Sequence, residues 1–231
     1  MHVDEAVATR RSIRDFLPDP VPEAVIRRVL EKALRAPSGG NVQPWHLHVL
    51  AGAPLAQFKA LMRERLETSP AGDGDPEYDI YPSNLHSPYR ERRYELGEQM
   101  YAQMGIGRDQ KPRRLAWVAR NYQFFDAPMA LFCSIDRRMG PPQWSDLGML
   151  LQTIMLLLRA EGLDSCPQEA WSRFHRTVGE FIGLPGEQML FCGMAIGKAN
   201  PEHPVNSLVA ERAPLGEVVT FMTDESNQGR P

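Results

Sequence analysis

The sequence predicts an α+β fold, a mostly antiparallel sheet wrapped by helices. Three observations carry that expectation. Apolar residues recur at helical spacing in several long segments, whereas β-favouring runs are few and short. The strand-like runs are joined by irregular crossovers, and no repeat or low-complexity tract interrupts them. Composition is ordinary for a globular chain of 231 residues, with 42% apolar and 24% charged residues, which excludes disordered and collagen-like classes. That length suits one domain over 1–231, with 69–125 as a variable lid and helical insertion within it.

Residues 22–35 read as the first long helix. Pro22 suits a first turn, and Val25/Val29/Ala33 with Ile26/Leu30/Leu34 make one stripe at i, i+4 spacing. The run Pro37-Ser38-Gly39-Gly40-Asn41 ends it. From Trp45, WHLHVLAG alternates and favours β structure, so a strand is expected. Residues 54–67 read as helix again. The stretch 69–88 holds four prolines and two glycines among several acids, which marks a loop or lid outside the core. Two polar, arginine-rich helices are expected at 89–104 and 109–124. PMALFCSID (128–136) reads as a strand. Residues 143–161 form a helix apolar on nearly all sides, which asks for more burial than its own domain supplies and points to a partner subunit. An extended piece at 164–171 leads into a helix at 172–183. QMLFCGMAIG (188–197) reads as a buried strand, and VVTFM near 218 as a last one.

Charge and cysteine usage narrow the function classes. Lys plus Arg number 26 against 29 Asp plus Glu, so the net charge of −3 offers no field for nucleic acid or an acidic membrane. Cys133, Cys166 and Cys192 lie far apart with no C-x-x-C, which argues against a disulfide framework or zinc site and fits a reducing cytoplasm. The first sixteen residues place acids and arginines where a secretory signal has an apolar core. The most apolar uncharged run, 147–158, falls short of the roughly 20 residues that cross a bilayer. His46 and His48 share a strand face but have no third ligand close in sequence, so no metal is expected.

Two clusters carry candidate chemistry. Arg10-Arg11-Ser12-Ile13-Arg14 sets three guanidiniums and a hydroxyl within five residues, the forked donors and fixed charge that a phosphate requires. Extended backbone would place Arg10, Ser12 and Arg14 on one face; the same residues also suit a solvated basic turn. In Ala36–Trp45, Pro37, Gly39 and Gly40 fix an irregular backbone while Ser38, Asn41 and Gln43 offer neutral donors and acceptors. A plain helix cap and turn is the alternative there.

In order and spacing, R-R-S-I-R at 10–14 and A-P-S-G-G-N-V-Q-P-W at 36–45 resemble the nitroreductase family of FMN-dependent oxidoreductases. So do G-L-D-S-C-P-Q-E-A-W at 162–171, G-M-A-I-G at 193–197 and E-R-A-P-L at 211–215. The resemblance implies a homodimer with one FMN in each of two interface clefts. Arg10, Arg11, Ser12, Arg14 and the late Arg212 would hold the phosphate and ribityl chain, with Arg14 near the ring's N1/C2 oxygen edge, where positive charge favours the reduced flavin. Pro37, Ser38, Gly39, Asn41 and Gln43 would reach the flavin from the second subunit. Pro167, Gln168, Glu169 and Ala170 would lie beside the ring, a backbone N–H meeting N5; Ala170 stands where many members have glycine. Ala210 stands where some members have a second phosphate-binding lysine, which leaves more of that task to the arginines.

The family's activity, by the same resemblance, is NADH- or NADPH-dependent reduction of nitroaromatics or quinones, with nucleotide and small aromatic substrate using one ring face in turn. No side chain has to act as a nucleophile, and no Rossmann motif is needed. Gly105-Ile106-Gly107 continues with Arg108-Asp109-Gln110 and fails the dinucleotide pattern. Reductive dehalogenation, flavin cleavage, or flavin binding without turnover are the other readings of such a chain. Candidate substrate contacts are Tyr89, Tyr122 and Phe124, although Trp117, Tyr122 and Phe124-Phe125 equally suit core packing. Tyr89 to Arg120 carries eight Lys/Arg against four Asp/Glu. Arg90, Arg92, Arg93, Arg113 and Arg114 there either form a solvated face or attract an anionic substrate such as a benzoate.

Overall fold

A computed structural model describes residues 1–223. Eight helices and four strands are assigned among them: α1 (Val3–Thr9), α2 (Glu23–Ala33), β1 (Trp45–Ala51), α3 (Gly52–Thr68), α4 (Tyr89–Gln103), α5 (Lys111–Ala119), β2 (Met129–Asp136), α6 (Pro141–Ala160), β3 (Asp164–Gln168), α7 (His175–Ile182), β4 (Gln188–Gly197) and α8 (Leu215–Val218). The strands form one sheet in the order β1-β2-β4-β3, antiparallel at every pairing.

β2 and β4 occupy the centre, and their sequences show it. A strand covered on both faces reads as a nearly continuous apolar run, as MALFCSID and QMLFCGMAIG do. On one face, Leu131, Cys133 and Ile135 of β2 pack with Cys192, Met194 and Ile196 of β4 against α2 and α6. On the other, Ala130, Phe132 and Ala195 meet an aromatic cluster of Phe58, Phe124, Trp171 and Phe174. The ladder slips once: Cys133 faces Cys192 but Ser134 faces Leu190, leaving Phe191 as the extra residue of a bulge. The carbonyl of Phe191, free of the ladder, accepts the Tyr78 hydroxyl.

Gly193 lets the aromatic cluster close. A Cβ there would stand 2.2 Å from Trp171 Cδ1, so only glycine allows the indole to lie against β4. Trp171 in turn meets Phe124, Phe132, Phe58 and Tyr122 at ring separations of 4.7–5.5 Å. Such pairs contribute about 0.5–1.5 kcal/mol each beyond buried area.

Four expectations change. The second arginine-rich helix stops at Ala119, and Arg120–Asp126 winds as a 3-10 turn. Phe124, Phe125 and Asp126 there take left-handed φ of 52°, 52° and 68°, a conformation tertiary contacts must enforce. Arg120 supplies one, donating to Asp15 (2.6 Å) and Asp126 (2.8 Å), while Lys59 Nζ donates to the Ala127 carbonyl (2.7 Å). The extended piece after Asp164 ends at Gln168, and the helix expected from 172 begins as a 3-10 turn over Glu169–Phe174. VVTFM forms no strand: α8 ends at Val218, and Val219, Phe221 and Met222 lie exposed without a ladder partner among the described residues.

The fourth change concerns 69–88, which lacks regular elements as expected but is tied down. Asp73 accepts from Arg65 and from the Thr177 amide and hydroxyl; Glu77 pairs with Arg137 and His175. Tyr78 packs on Trp144 and Phe191 and belongs to the edge of the core.

Candidate active site

Three segments far apart in sequence converge beside β3. An isolated bridge joins Ser12 to Ser165, and the Ile13 amide donates to the Ser165 carbonyl (3.1 Å). That pairing buries Ile13 and turns Arg10, Ser12 and Arg14 the other way, as alternation predicts. Asn206, itself buried, fixes the segment's end: its Oδ1 accepts the Arg14 amide (2.9 Å), and its Nδ2 donates to the carbonyls of Asp15 (2.7 Å) and Asn200 (2.9 Å). Arg212 closes the group, its Nη1 held by the carbonyls of Ala210 and Glu211 (both 2.9 Å).

Arg10, Ser12, Arg14 and Arg212 line one cleft of about 420 Å³, and Arg14 and Arg212 extend into an adjoining one of about 560 Å³. Both volumes fall in the range of small-molecule sites. Among the described residues, no carboxylate pairs with Arg10, Arg11, Arg14 or Arg212 within 4.0 Å, whereas most other arginines have such a partner. Burial, and then the charge of Arg212, lowers the Arg10 pKa. Burial raises the Cys166 thiol, opposed by Arg14, Arg10 and the Ser12 hydroxyl. A cleft with several like charges, a hydroxyl and no counter-ion suits a phosphate monoester. Arg11 is exposed and also lines the smaller cleft.

Along Pro167–Ala170, side chains and backbone have separate tasks. The buried Gln168 side chain donates to the Asn121 carbonyl (2.7 Å) and accepts from Trp171 Nε1 (3.4 Å). The Gln168 side chain is thereby committed within the chain, and none of Pro167–Ala170 lines either cleft. Burial raises the Glu169 carboxyl above its ordinary range. Pro37, Ser38, Gly39, Asn41 and Gln43 lie elsewhere, in a turn against the start of α6, and line neither cleft.

Of the three substrate candidates, two are buried and one is exposed. Phe124 is fully buried and Tyr122 nearly so, in the aromatic cluster that seats on Gly193, so neither faces a ligand in this chain. Tyr89 is 55% exposed at the start of α4 and lines neither cleft. The larger cleft is instead walled by Tyr81, Leu96, Met100, Leu208 and Arg93, most of which the sequence alone does not single out. Of the five arginines weighed for anion attraction, Arg90 pairs with Glu91, Arg92 with Glu217 and Arg114 with Glu98, and Arg113 donates to Gln110 and the Gly105 carbonyl. Arg93 has no such partner among the described residues; its guanidinium stacks 4.0 Å over the Tyr81 ring. Among the described residues, no group of three His, Cys, Asp or Glu is placed to hold a metal, and no helix is long and apolar enough to cross a membrane.

The model of the nitroreductase family matches residues 7–198. The chain belongs to the nitroreductase family. Within it, 4-nitrobenzoate reductase of Pseudomonas putida is 36% identical over 222 residues, covering 95% of each chain. The crystal structure of the FMN and NADPH-dependent nitroreductase NfnB from Sphigopyxis sp. strain HMH superposes with a TM-score of 0.92 at 45% identity, covering 96% of this chain and 100% of that one. The FMN-dependent nitroreductase NfnB of Mycobacterium smegmatis, solved with NADPH, gives 0.90 at 30% identity over 95% and 97%. The nitroreductase fold anticipated from R-R-S-I-R and its companion blocks is therefore the fold of this chain.

Proposed function

We propose that this protein is an FMN-dependent oxidoreductase that uses NAD(P)H to reduce nitroaromatic compounds, with quinones as further acceptors. The observation that carries this reading is the convergence of Arg10, Ser12, Arg14 and Arg212 on one cleft without a carboxylate. The activities of the named relatives support the reaction, and the two NfnB structures support NADPH as donor.

FMN, when bound, supplies the two-electron hydride chemistry. Arg10, Arg212 and the Ser12 hydroxyl would hold its phosphate, with Arg11 at the margin. Arg14, locked by Asn206, would place positive charge by the ring, and the Pro167–Ala170 backbone would flank it. Nucleotide and nitroaromatic would then use the same open face in turn, so parallel double-reciprocal plots are expected. Arg93 on Tyr81 offers a free guanidinium to an acidic nitroaromatic in the larger cleft.

The whole chain would be one nitroreductase-like domain with 69–125 as its insertion; residues 224–231 lie outside the described residues. A homodimer would bring the Pro37–Gln43 loop of one subunit to the other's cleft. Three free, buried cysteines suit a cytoplasmic setting.

An anaerobic absorbance spectrum before and after NADPH or NADH tests the reading. A flavin spectrum that bleaches, and recovers with 4-nitrobenzoate, is expected. Protein that stays colourless after added FMN overturns the cofactor, and yellow protein that never bleaches leaves a flavin-binding module.

A further inference from the structure

Asp146 lies in the second turn of α6 and is 4% exposed. Its Oδ1 accepts one hydrogen bond, from the Gly39 amide at 3.2 Å, and its Oδ2 is buried with no partner among the described residues. A buried carboxylate usually has several donors or a cation, because losing water is costly and one neutral N–H compensates little. An apolar side chain at this point of an otherwise apolar helix face would serve packing better. The carboxylate therefore has a task other than stability.

The task is visible in what it holds. The loop Ser38–Gln43 places Gly40, Asn41 and Gln43 at φ of 56°, 56° and 51°, two of them non-glycine residues in a conformation that costs free energy. Its other hydrogen bonds among the described residues are internal: the Asn41 amide to the Ser38 carbonyl, Val42 to Gly39, the Gln43 amide to Ser38 Oγ (2.9 Å) and Gln43 Nε2 to the Asn41 carbonyl (3.3 Å). The hydrogen bond from Gly39 to Asp146 is the recorded one that ties the loop to another element.

We propose that Asp146 is a positioning residue, tethering the Ser38–Gln43 loop in the strained shape in which it meets the bound ring and the nitroaromatic. Its effect on turnover rests on the oxidoreductase reading above; the tether itself does not.

Asp146→Leu and Asp146→Asn test it, each compared with the wild-type protein by hydrogen exchange, thermal unfolding, flavin content and steady-state kinetics. In the Leu variant, amide exchange at 39–43 should quicken at least tenfold. Its Tm should be equal to or above wild type, flavin should stay bound through the arginines, and kcat/KM for 4-nitrobenzoate should fall at least tenfold, mostly through KM. Asn keeps an acceptor for Gly39 and should restore both exchange and kcat/KM to within about threefold. Unchanged loop exchange in the Leu variant would overturn the tether. A Tm that falls together with activity, without rescue by Asn, would make Asp146 merely structural and overturn the proposal. If wild-type protein takes up no FMN, the oxidoreductase reading falls, while the exchange comparison still decides the tether.

Discussion

Arg10 feels the charge of Arg212, and among the described residues neither pairs with a carboxylate. A bound phosphate dianion would relieve that repulsion, so ligand binding and stability are linked here. FMN at a hundred times its Kd should add about 2.7 kcal/mol to unfolding, read as a rise in Tm. Each charge-assisted contact contributes roughly 1.5–3 kcal/mol, so Arg10→Ala or Arg212→Ala should weaken FMN about 10–100-fold. The flavin-free Arg10→Ala protein should melt no lower than flavin-free wild type, because the lost group is a repelled cation. Full flavin retention by the Arg10→Ala/Arg212→Ala double variant, measured by dialysis and absorbance, would refute the placement. Gly193 gives the opposite kind of residue effect. Gly193→Ala pushes a methyl into Trp171, so a loss of about 2–3 kcal/mol is expected in urea unfolding; a loss under 0.5 would mean that the indole moves freely.

The corner between α4 and α5 is held by charge rather than by core. Neither helix buries an apolar stripe like that of α2; α4 has no buried residue and α5 only Trp117. Glu98 of α4 instead accepts from Arg114 (2.6 Å) and Arg108 (2.8 Å), and Arg114 also stacks over Tyr101. Those guanidiniums hold the Glu98 carboxyl at about 2. A carboxyl depressed in the folded state stabilises above its ordinary value near 4.3, and that contribution is lost as pH falls through about 2. Carboxyl-carbon NMR should therefore find Glu98 still ionised at pH 3, and hydrogen exchange in α4 should quicken below it. A titration at the ordinary glutamate value would break this account.

The same contrast explains what the sequence could and could not tell. α2, β1, β2, α6 and β4 were legible because each buries a stripe or a run that leaves its period in the residues. The end of α5 was not, since the left-handed Phe124–Asp126 turn depends on Asp15 and Lys59, distant in sequence. At the site, R-R-S-I-R was legible as a cluster of guanidiniums on one face of an extended segment. That Asn206 locks Arg14, or that Tyr81, Leu96 and Met100 wall the cleft, depends on contacts spanning much of the chain and has no local signature.

At the scale of the whole molecule, the described chain leaves apolar surface that a lone copy has little reason to keep. Phe221 is 65% and Met222 91% exposed, beside the exposed Val218 and Val219, in an extended tail with no ladder of its own. α6 buries one face on the sheet yet still presents Met149 and Gly148 to solvent, within the helix whose sequence is apolar nearly all round. Apolar surface left exposed on two separate elements is what a partner would cover. The loop Pro37–Gln43 carries ligand-type side chains but lines neither cleft of its own chain, so it would serve a site only through a second copy. A C2 dimer would answer all three at once, since each subunit would give and receive the same surfaces. Sedimentation should therefore return about twice 26.1 kDa at micromolar protein. Phe221→Asp with Met222→Asp places charge in that contact and should raise the monomer fraction. Flavin should be lost in step with dissociation, because half of each site would leave with the partner. Monomeric wild-type protein that holds flavin and turns over would show instead that one chain completes its own site.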